Sequence, residues 1–321
     1  MGLFQSMPFA TTPPPTVAGA ESEERRLRRA LAMHQAWLNS AQGGARAVLT
    51  RATMSDVKWQ GVNLSKAQLD YTSWIEADLT EADLSGAELQ YADLRGAALN
   101  RADLSGACLD HARLQACWVM SANFSEAKMS EAALLNAHLE ESRWTEAAIN
   151  SCNFSNAHLN RVLFQHARIF SSDFAGAHIE GANMYRARIQ LSRFYGAVLT
   201  EANLSNTTLH DSNFTQAEMF GARFQSADIA RCAFVRARLG SADFRSAKLS
   251  GVDLCGAVLE NARFDQAQFM GTDLRASNLK GARGLTSDQL AAARTDSATW
   301  LPNGSNGPYL RRSGAERAIR A

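Results

Sequence analysis

A strict period of five residues runs through most of this chain. Every fifth residue from Leu49 to Leu279 is Leu, Ile, Val, Met, Phe or Trp, and no insertion or deletion shifts the register. We call these the centre positions. The residue two before each centre is small, since 32 of the 47 are Ala and the others are Ser, Thr, Val or Cys. A helix repeats every 3.6 residues and a strand every 2, so the pattern fits neither element on its own.

Five residues can form one short extended side followed by a turn. The centre and the small residue two before it then point the same way, because side chains alternate along an extended segment. The other three positions are mostly Asp, Asn, Arg, Ser, Thr, Glu and Gly, residues that are commonly exposed to solvent. Glycines two after a centre, such as Gly86 and Gly96, indicate a turn with positive φ. The pattern therefore predicts a solenoid with apolar residues inside and polar residues outside.

Phenylalanine follows a longer period within the centre positions. Nearly all centre phenylalanines have numbers ending in 4, and one set recurs every 20 residues: Phe154, Phe174, Phe194, Phe214 and Phe234. A coil of 20 residues would stack this set as one ladder in a close-packed interior. Trp59, Trp74 and Trp144 also occupy centres, and we predict that they are core residues.

The repeat resembles that of the pentapeptide-repeat family, whose pattern is A(D/N)LXX. It is seen in Ala82-Asp83-Leu84-Ser85-Gly86 and again around Leu94 and Leu104, and the resemblance covers residues 47–283. The resemblance implies an all-β solenoid, a right-handed quadrilateral β-helix with four pentapeptides in each coil. Repeats of that size give about 12 coils, with Leu84, Leu94 and Leu104 in the core.

The segments around the repeats divide the chain into five parts. We predict a disordered segment at 1–20 and an N-terminal capping helix at 21–45, followed by the β-helix at 46–283. A C-terminal capping helix or segment is predicted at 284–302, and a flexible basic tail at 303–321. Short α-helical caps are expected at both ends because the end coils of a solenoid expose unpaired backbone.

Composition argues against several broad classes of protein. With 33 basic and 32 acidic residues the net charge is +1, so nucleic acid is not an expected partner. No apolar run reaches the length of about 18 residues that a membrane span needs. The N-terminus also lacks the features of a secretory signal. We therefore expect a cytoplasmic protein, with delivery by a signal-less secretion system as the alternative.

Motifs for chemistry are missing from the sequence. No pattern for a nucleophile, a phosphate loop or a metalloprotease occurs, which predicts a protein that is not an enzyme and needs no cofactor. The five cysteines have no metal-binding spacing, and Cys117, Cys152 and Cys232 replace Ala at small positions, where they should be buried. The first six residues match the N-myristoylation pattern, which is a weak signal.

Three histidines are spaced one coil apart on the outside of the predicted rod. His138, His158 and His178 each precede a centre, and Trp118 holds the same position one coil earlier. The histidines are either a metal-binding or pH-sensitive strip, or a neutral ladder of stacked rings. We favour the ladder, because three residues in line cannot surround a metal and no neighbouring carboxylate or cysteine completes a site. Trp118 is either a partner contact or an aromatic that covers a neighbouring side chain.

Three functions remain open from the sequence. We favour a non-catalytic scaffold that mediates protein–protein interaction through the flat faces or termini of a rigid β-helix, and that could form a homodimer through a terminus. A secretion-system-associated effector or accessory protein is one alternative. The family resemblance also brings in DNA mimics that modulate topoisomerases such as gyrase, for which it implies a strongly acidic rod. Here residues 47–165 have net charge −6 but residues 166–281 have +2, which argues against the mimic.

Overall fold

The computed structural model of the chain describes residues 23–318. It divides the chain into two compact units, Met1–Ala45 and Arg46–Ala321. The segment 1–20, with its myristoylation pattern, lies outside the described residues. Within the described part, no helix is both long enough and apolar enough to cross a membrane.

The first unit contains helix α1, Glu23–Leu38. The helix ends just before Ser40, which has a φ of 54° in the left-handed region. The chain then turns back on itself, and the N–H of Ala45 donates to the carbonyl of Met33 at 3.0 Å. A helix in this segment agrees with the sequence pattern, whereas its role as a cap for the coils stays a prediction.

The second unit is a parallel β-solenoid with a 20-residue step. Residues 20 apart lie directly opposite each other, as Met129 does with Ile149. Eight strands of three residues form one sheet in sequence order. The strands are β1 Lys128–Ser130, β2 Ala148–Asn150, β3 Arg168–Phe170, β4 Arg188–Gln190, β5 Thr208–His210, β6 Asp228–Ala230, β7 Lys248–Ser250 and β8 Gln268–Met270.

Single-residue parallel bridges carry the same step around the other sides of each coil. Val48, Thr53, Lys58 and Asn63 each pair with the residue 20 positions later, so one coil has four sides. This confirms the predicted class, a four-sided β-solenoid. The continuous sheet spans about 7 turns, fewer than the expected figure of about 12 coils, and single bridges carry the same step from Val48 to Arg283. Outside the sheet, the 20-residue step is carried by single bridges alone.

The backbone hydrogen bonds explain why the five-residue unit is so regular. Between coils, the N–H of Leu84 donates to the carbonyl of Asp103 at 2.7 Å, and the N–H of Asp83 donates to the carbonyl of Val62 at 2.9 Å. At each corner the residue two after a centre has positive φ, whether it is Gly86 at 62° or Arg101 at 58°. The corners therefore accept side chains other than glycine, although each such residue costs about 1 kcal/mol.

The interior is filled by the centre residues and the small residues beside them. Leu84, Leu94 and Leu104 are fully buried, as are all members of the predicted phenylalanine set. That set stacks as one ladder with ring centroids 4.7–4.9 Å apart. Such a spacing is the distance between neighbouring strands, so the coil geometry itself brings the rings into contact.

The tryptophans at centre positions do not all behave alike. Trp74 and Trp144 are fully buried, as predicted. Trp59 is only partly buried, and its ring meets that of Trp74 edge-on with centroids 5.7 Å apart. The prediction of a core position was therefore wrong for Trp59. It lies within the first coil of the series of bridges, which begins at Val48.

A short helix follows the last coil. Helix α2, Ser287–Ala292, begins after Thr286, whose side chain accepts from the N–H of Gln289 while the Gln289 side chain accepts from Thr286. This is a capping box. The amide of Gln289 also donates to the carbonyls of Phe264 at 3.1 Å and Ala267 at 2.7 Å. The Gln289 side chain thus accepts from the backbone N–H at the start of α2 and donates to two carbonyls of the preceding coil.

The segment after α2 is more ordered than the sequence suggested. Residues 303–321 were expected to form a flexible tail, but the described part, up to residue 318, contacts the C-terminal end. The hydroxyl of Tyr309 lies 2.8 Å from Ser287 Oγ and 3.0 Å from a carboxylate oxygen of Glu316, and Ala315 is buried. These contacts offset the conformational entropy that a polar tail loses on ordering.

The buried cysteines should resist thiol reagents. Burial raises the pKa of Cys152 to about 11 and that of Cys232 to about 12, and it also raises the pKa of Cys117. Because the thiolate is the reactive form, we expect a maleimide to label only the partly exposed Cys108 and Cys255 at neutral pH. Mass spectrometry of the labelled protein checks this, with full labelling in denaturant as the control. Rapid labelling of Cys117 in the folded protein would contradict its buried position.

Candidate functional site

Four aromatic side chains form a continuous strip on one outer wall of the solenoid. Trp118, His138, His158 and His178 pair in that order through parallel bridges. Their ring centroids are 3.9, 4.8 and 5.2 Å apart, and the ring planes differ by no more than 7°. We call these four residues the Trp–His strip. The structure thus brings together every outward-facing residue that the sequence singled out.

The stacking follows directly from the 20-residue step. Residues that precede the centre on the same side of successive coils lie about 4.8 Å apart, the spacing of paired strands. Planar side chains at that spacing meet face to face, so a run of aromatic residues every 20 positions becomes a stack. The next residue of the column before Trp118 is Ala98, whose methyl group leaves the far face of the indole without a stacked ring.

Both end residues of the strip, Trp118 and His178, are partly open to solvent. Trp118 is 47% exposed, and the neighbouring Met120 is 42% exposed. The side chain of His178 is 45% exposed, against 28% for His138 nearer the middle. The strip therefore offers a flat aromatic surface flanked by an accessible thioether, and such surfaces are suited to contact with another protein.

Two carboxylates accompany the histidines, which the sequence analysis missed. His138 Nδ1 lies 3.7 Å from Glu140 Oε1, and His178 Nδ1 lies 3.8 Å from Glu180 Oε1. Each Glu follows its His by two residues, so both flank one centre and point outward. That spacing was the available signal. The other oxygen of each carboxylate is shielded from solvent and accepts no hydrogen bond within residues 23–318.

A metal-binding role for the strip fits its geometry poorly. Ligand atoms of His138, Glu140 and His158 lie within 4.8 Å of one another, so the right atom types are close together. A zinc ion needs each nitrogen at about 2.0–2.1 Å, with the lone pairs converging on it. The two imidazole planes are nearly parallel at 7°, so their in-plane lone pairs run side by side. Binding would require one ring to leave the stack.

A second exposed aromatic column lies at a corner between two other walls. Tyr71, Tyr91 and His111 stack with centroids 4.7 and 4.5 Å apart. Arg51 lies over the Tyr71 ring at 5.6 Å, and His111 Nδ1 is 3.5 Å from a carboxylate oxygen of Glu131. The same 20-residue spacing would have predicted this column from the sequence. Tyr71 and Tyr91 are 50% and 45% exposed, but both ends of this column meet charged side chains, whereas the indole of Trp118 has a free face.

Solved structures of related shape show what the chain is similar to. HetL, a pentapeptide-repeat protein involved in heterocyst differentiation regulation from the cyanobacterium Nostoc sp. strain PCC 7120, is 22% identical, with a TM-score of 0.35 over 88% of this chain and 98% of that one. QnrB1, a plasmid-mediated fluoroquinolone resistance protein, is 13% identical, with a TM-score of 0.25 over 59% of this chain and 91% of that one. At such TM-scores the superpositions carry no argument about function.

Sequence comparisons identify the family. Curated protein sequences give no significant match. The family model described as pentapeptide repeats matches in 8 copies, over residues 77–115, 120–161, 145–186, 237–275 and 256–283. The model described as a pentapeptide repeat region matches residues 167–244. Together the two models cover more than half of the chain, within the segment where the structure shows 20-residue coils, and the chain therefore belongs to the pentapeptide-repeat family.

Proposed function

We propose that this protein is a non-catalytic scaffold that binds a protein partner through the Trp–His strip. The observation that carries the proposal is the stack of four rings on one flat wall, with Trp118 at its exposed end. Tryptophan is among the residues that contribute most to binding energy at protein interfaces. A rigid stack also loses little side-chain entropy when a partner covers it.

The rest of the coil supports a binding role over a catalytic one. The centre residues and the small residues beside them are buried in the core. A catalytic reaction would therefore have to take place on the outer walls. The shielded oxygens of Glu140 and Glu180 accept no hydrogen bond from the described residues. A partner that placed N–H donors beside the other carboxylate oxygens, which lie next to His138 and His178, would add specificity to the aromatic contact.

The DNA-mimic alternative is less well supported by the placement of acidic side chains. Asp93 accepts two hydrogen bonds from the guanidinium of Arg95, at 2.8 and 2.7 Å. Arg275 binds Asp273 in the same way, and this interaction holds the pKa of Asp273 below its usual range. These two carboxylates are each bound by an arginine and are not free negative charges. The secretion-linked role and a homodimer through a terminus stay predictions from the sequence.

Replacing Trp118 tests the proposed surface. Partners are first captured from cells that express the protein, identified by mass spectrometry and purified. Each is then titrated against the wild type and Trp118→Ala by calorimetry. We expect Trp118→Ala to weaken binding at least about tenfold, because it removes the anchor of the strip. Its thermal stability should stay close to that of the wild type, since the side chain faces outward.

The matched control is Phe170→Ala. Phe170 is 42% exposed, similar to Trp118, and lies on the opposite wall. It should leave partner binding unchanged. Equal affinity for the wild type and Trp118→Ala, or an equal loss in both variants, would rule out the Trp–His strip as the contact surface.

A further inference from the structure

A groove with a strongly basic end runs along the wall opposite the Trp–His strip. It has a volume of 760 Å³, and Arg168, Arg186, Arg188 and His166 line one end of it. Arg168 and Arg188 come from strands β3 and β4, while His166 and Arg186 come from the adjacent corner, where both have positive φ. Two neighbouring columns thus direct their basic side chains into one shared space.

The arginines of this groove lack the carboxylate partners that several other arginines of the solenoid have, although Arg186 lies over the Tyr185 ring at 5.2 Å. Arg231, for example, binds Asp211 through two hydrogen bonds of 2.6 and 2.7 Å. Within residues 23–318, Arg168, Arg186 and Arg188 form no ion pair. No carboxylate of the described residues therefore binds these three guanidinium groups directly.

Strand pairing makes this arrangement unfavourable without a counter-ion. Arg168 and Arg188 lie directly opposite each other in the parallel register. Like charges at opposed positions of a sheet destabilise it. A bound anion placed between the two guanidinium groups would turn this repulsion into two attractive interactions, because guanidinium groups bind phosphate and carboxylate oxygens through paired N–H donors.

The far end of the groove limits the size of the anion that could bind. Glu126 and Glu146 line it, so negative charge is repelled there. In the same corner column His166 follows Glu146 by one coil and Arg186 follows it by two, about 5 and 10 Å at the spacing of paired strands. A long polyanion would run into the carboxylates, whereas one compact anionic group can stay at the arginine end.

We propose that Arg168, Arg186 and Arg188 form a binding site for a single phosphate group, either free or carried by a small organic ester. Phosphate offers several acceptor oxygens in a tetrahedral array, enough for donors from three guanidinium groups at once. Thr208, opposite Arg188 on strand β5, and Asn206 complete the lining with further polar groups. The site lies on a different wall from the Trp–His strip and does not depend on the proposed partner contact.

Calorimetric titration of the full chain with inorganic phosphate and with glycerol 3-phosphate tests the site, with chloride at equal ionic strength as the reference. We expect Arg188→Gln to weaken phosphate binding about tenfold, because it removes charge-assisted hydrogen bonds. Glu146→Gln should tighten binding about twofold, since it removes a repelling charge. Tighter binding of the ester would show that the organic part contributes, and equal binding that the free anion suffices; both support the site.

Thermal unfolding gives an independent readout. Phosphate should raise the Tm of the wild type more than chloride does, because a ligand that binds the folded state stabilises it. Arg188→Gln should lose this gain and, without phosphate at low salt, should be no less stable than the wild type. The control Arg236→Gln changes an exposed corner arginine on the opposite side and should respond to phosphate as the wild type does. No binding of either phosphate probe, or unchanged binding by Arg188→Gln, would overturn the proposal.

Discussion

Replacing Phe194 with alanine should lower the free energy of unfolding by about 3–5 kcal/mol, the range for loss of a large buried aromatic side chain. Phe194 is fully buried, and its ring stacks on Phe174 at 4.8 Å and on Phe214 at 4.7 Å. The cavity would interrupt the ladder in its middle. Neighbouring coils cannot close it, because their positions are fixed by hydrogen bonds on all four sides.

Urea unfolding followed by tryptophan fluorescence measures this effect. The matched control is Phe220→Ala, because Phe220 is 57% exposed and its removal leaves no interior cavity. We expect the control to change the free energy of unfolding by less than about 0.5 kcal/mol. Similar losses in the two variants would mean that the centre positions do not form a shared close-packed interior.

Ser142→Ala should cost about 2 kcal/mol, although it removes one oxygen atom only. The indole N–H of Trp144 donates to Ser142 Oγ at 2.8 Å, and that hydroxyl donates to the carbonyl of Leu139 at 2.5 Å. All of these groups are buried. Without the hydroxyl, the indole N–H loses its acceptor in a place that is closed to water, and such a group is expensive to leave unpaired.

A double-mutant cycle separates this hydrogen bond from general packing. In a Trp144→Phe background there is no indole N–H to satisfy, so Ser142→Ala should cost at least about 1 kcal/mol less than in the wild type. The comparison uses free energies of unfolding from denaturant titrations of all four proteins. An equal cost in both backgrounds would contradict the assigned hydrogen bond.

The hydrogen bond between Trp144 and Ser142 shows which features of the core could be predicted from the sequence and which could not. The five-residue period predicted which residues are inside, and the 20-residue recurrence of phenylalanine predicted the ladder. It did not reveal that a buried tryptophan is matched by a hydroxyl two residues earlier, as Trp74 is by Thr72 at 2.7 Å. Trp59 has Val57 in that place and is only partly buried. A buried indole N–H needs an acceptor, which explains why the small residue two before Trp74 is Thr and the one two before Trp144 is Ser.

On the outer walls, less could be predicted. The spacing of His138, His158 and His178 was enough to place them in one column, because the register fixes which residues align. Contacts between columns, such as that of Glu140 with His138, depend on side-chain direction around a centre. The arginine groove depends on two columns at once, one on a strand and one at a corner. A period in the sequence indicates which residues align in one column of successive coils. It does not indicate which side chains of the neighbouring column they contact.

The main-chain hydrogen bonds between coils run along the axis of the solenoid, as from Leu84 to Asp103 and from Asp83 to Val62. Tension applied to the two ends of the β-helix should release a terminal coil first, because a terminal coil is held by one neighbour and every other coil by two. The coils would peel off one after another, and each would lengthen the chain by about 65 Å, the reach of 20 extended residues. Under tension, the chain should therefore lengthen in equal steps, one for each coil that detaches.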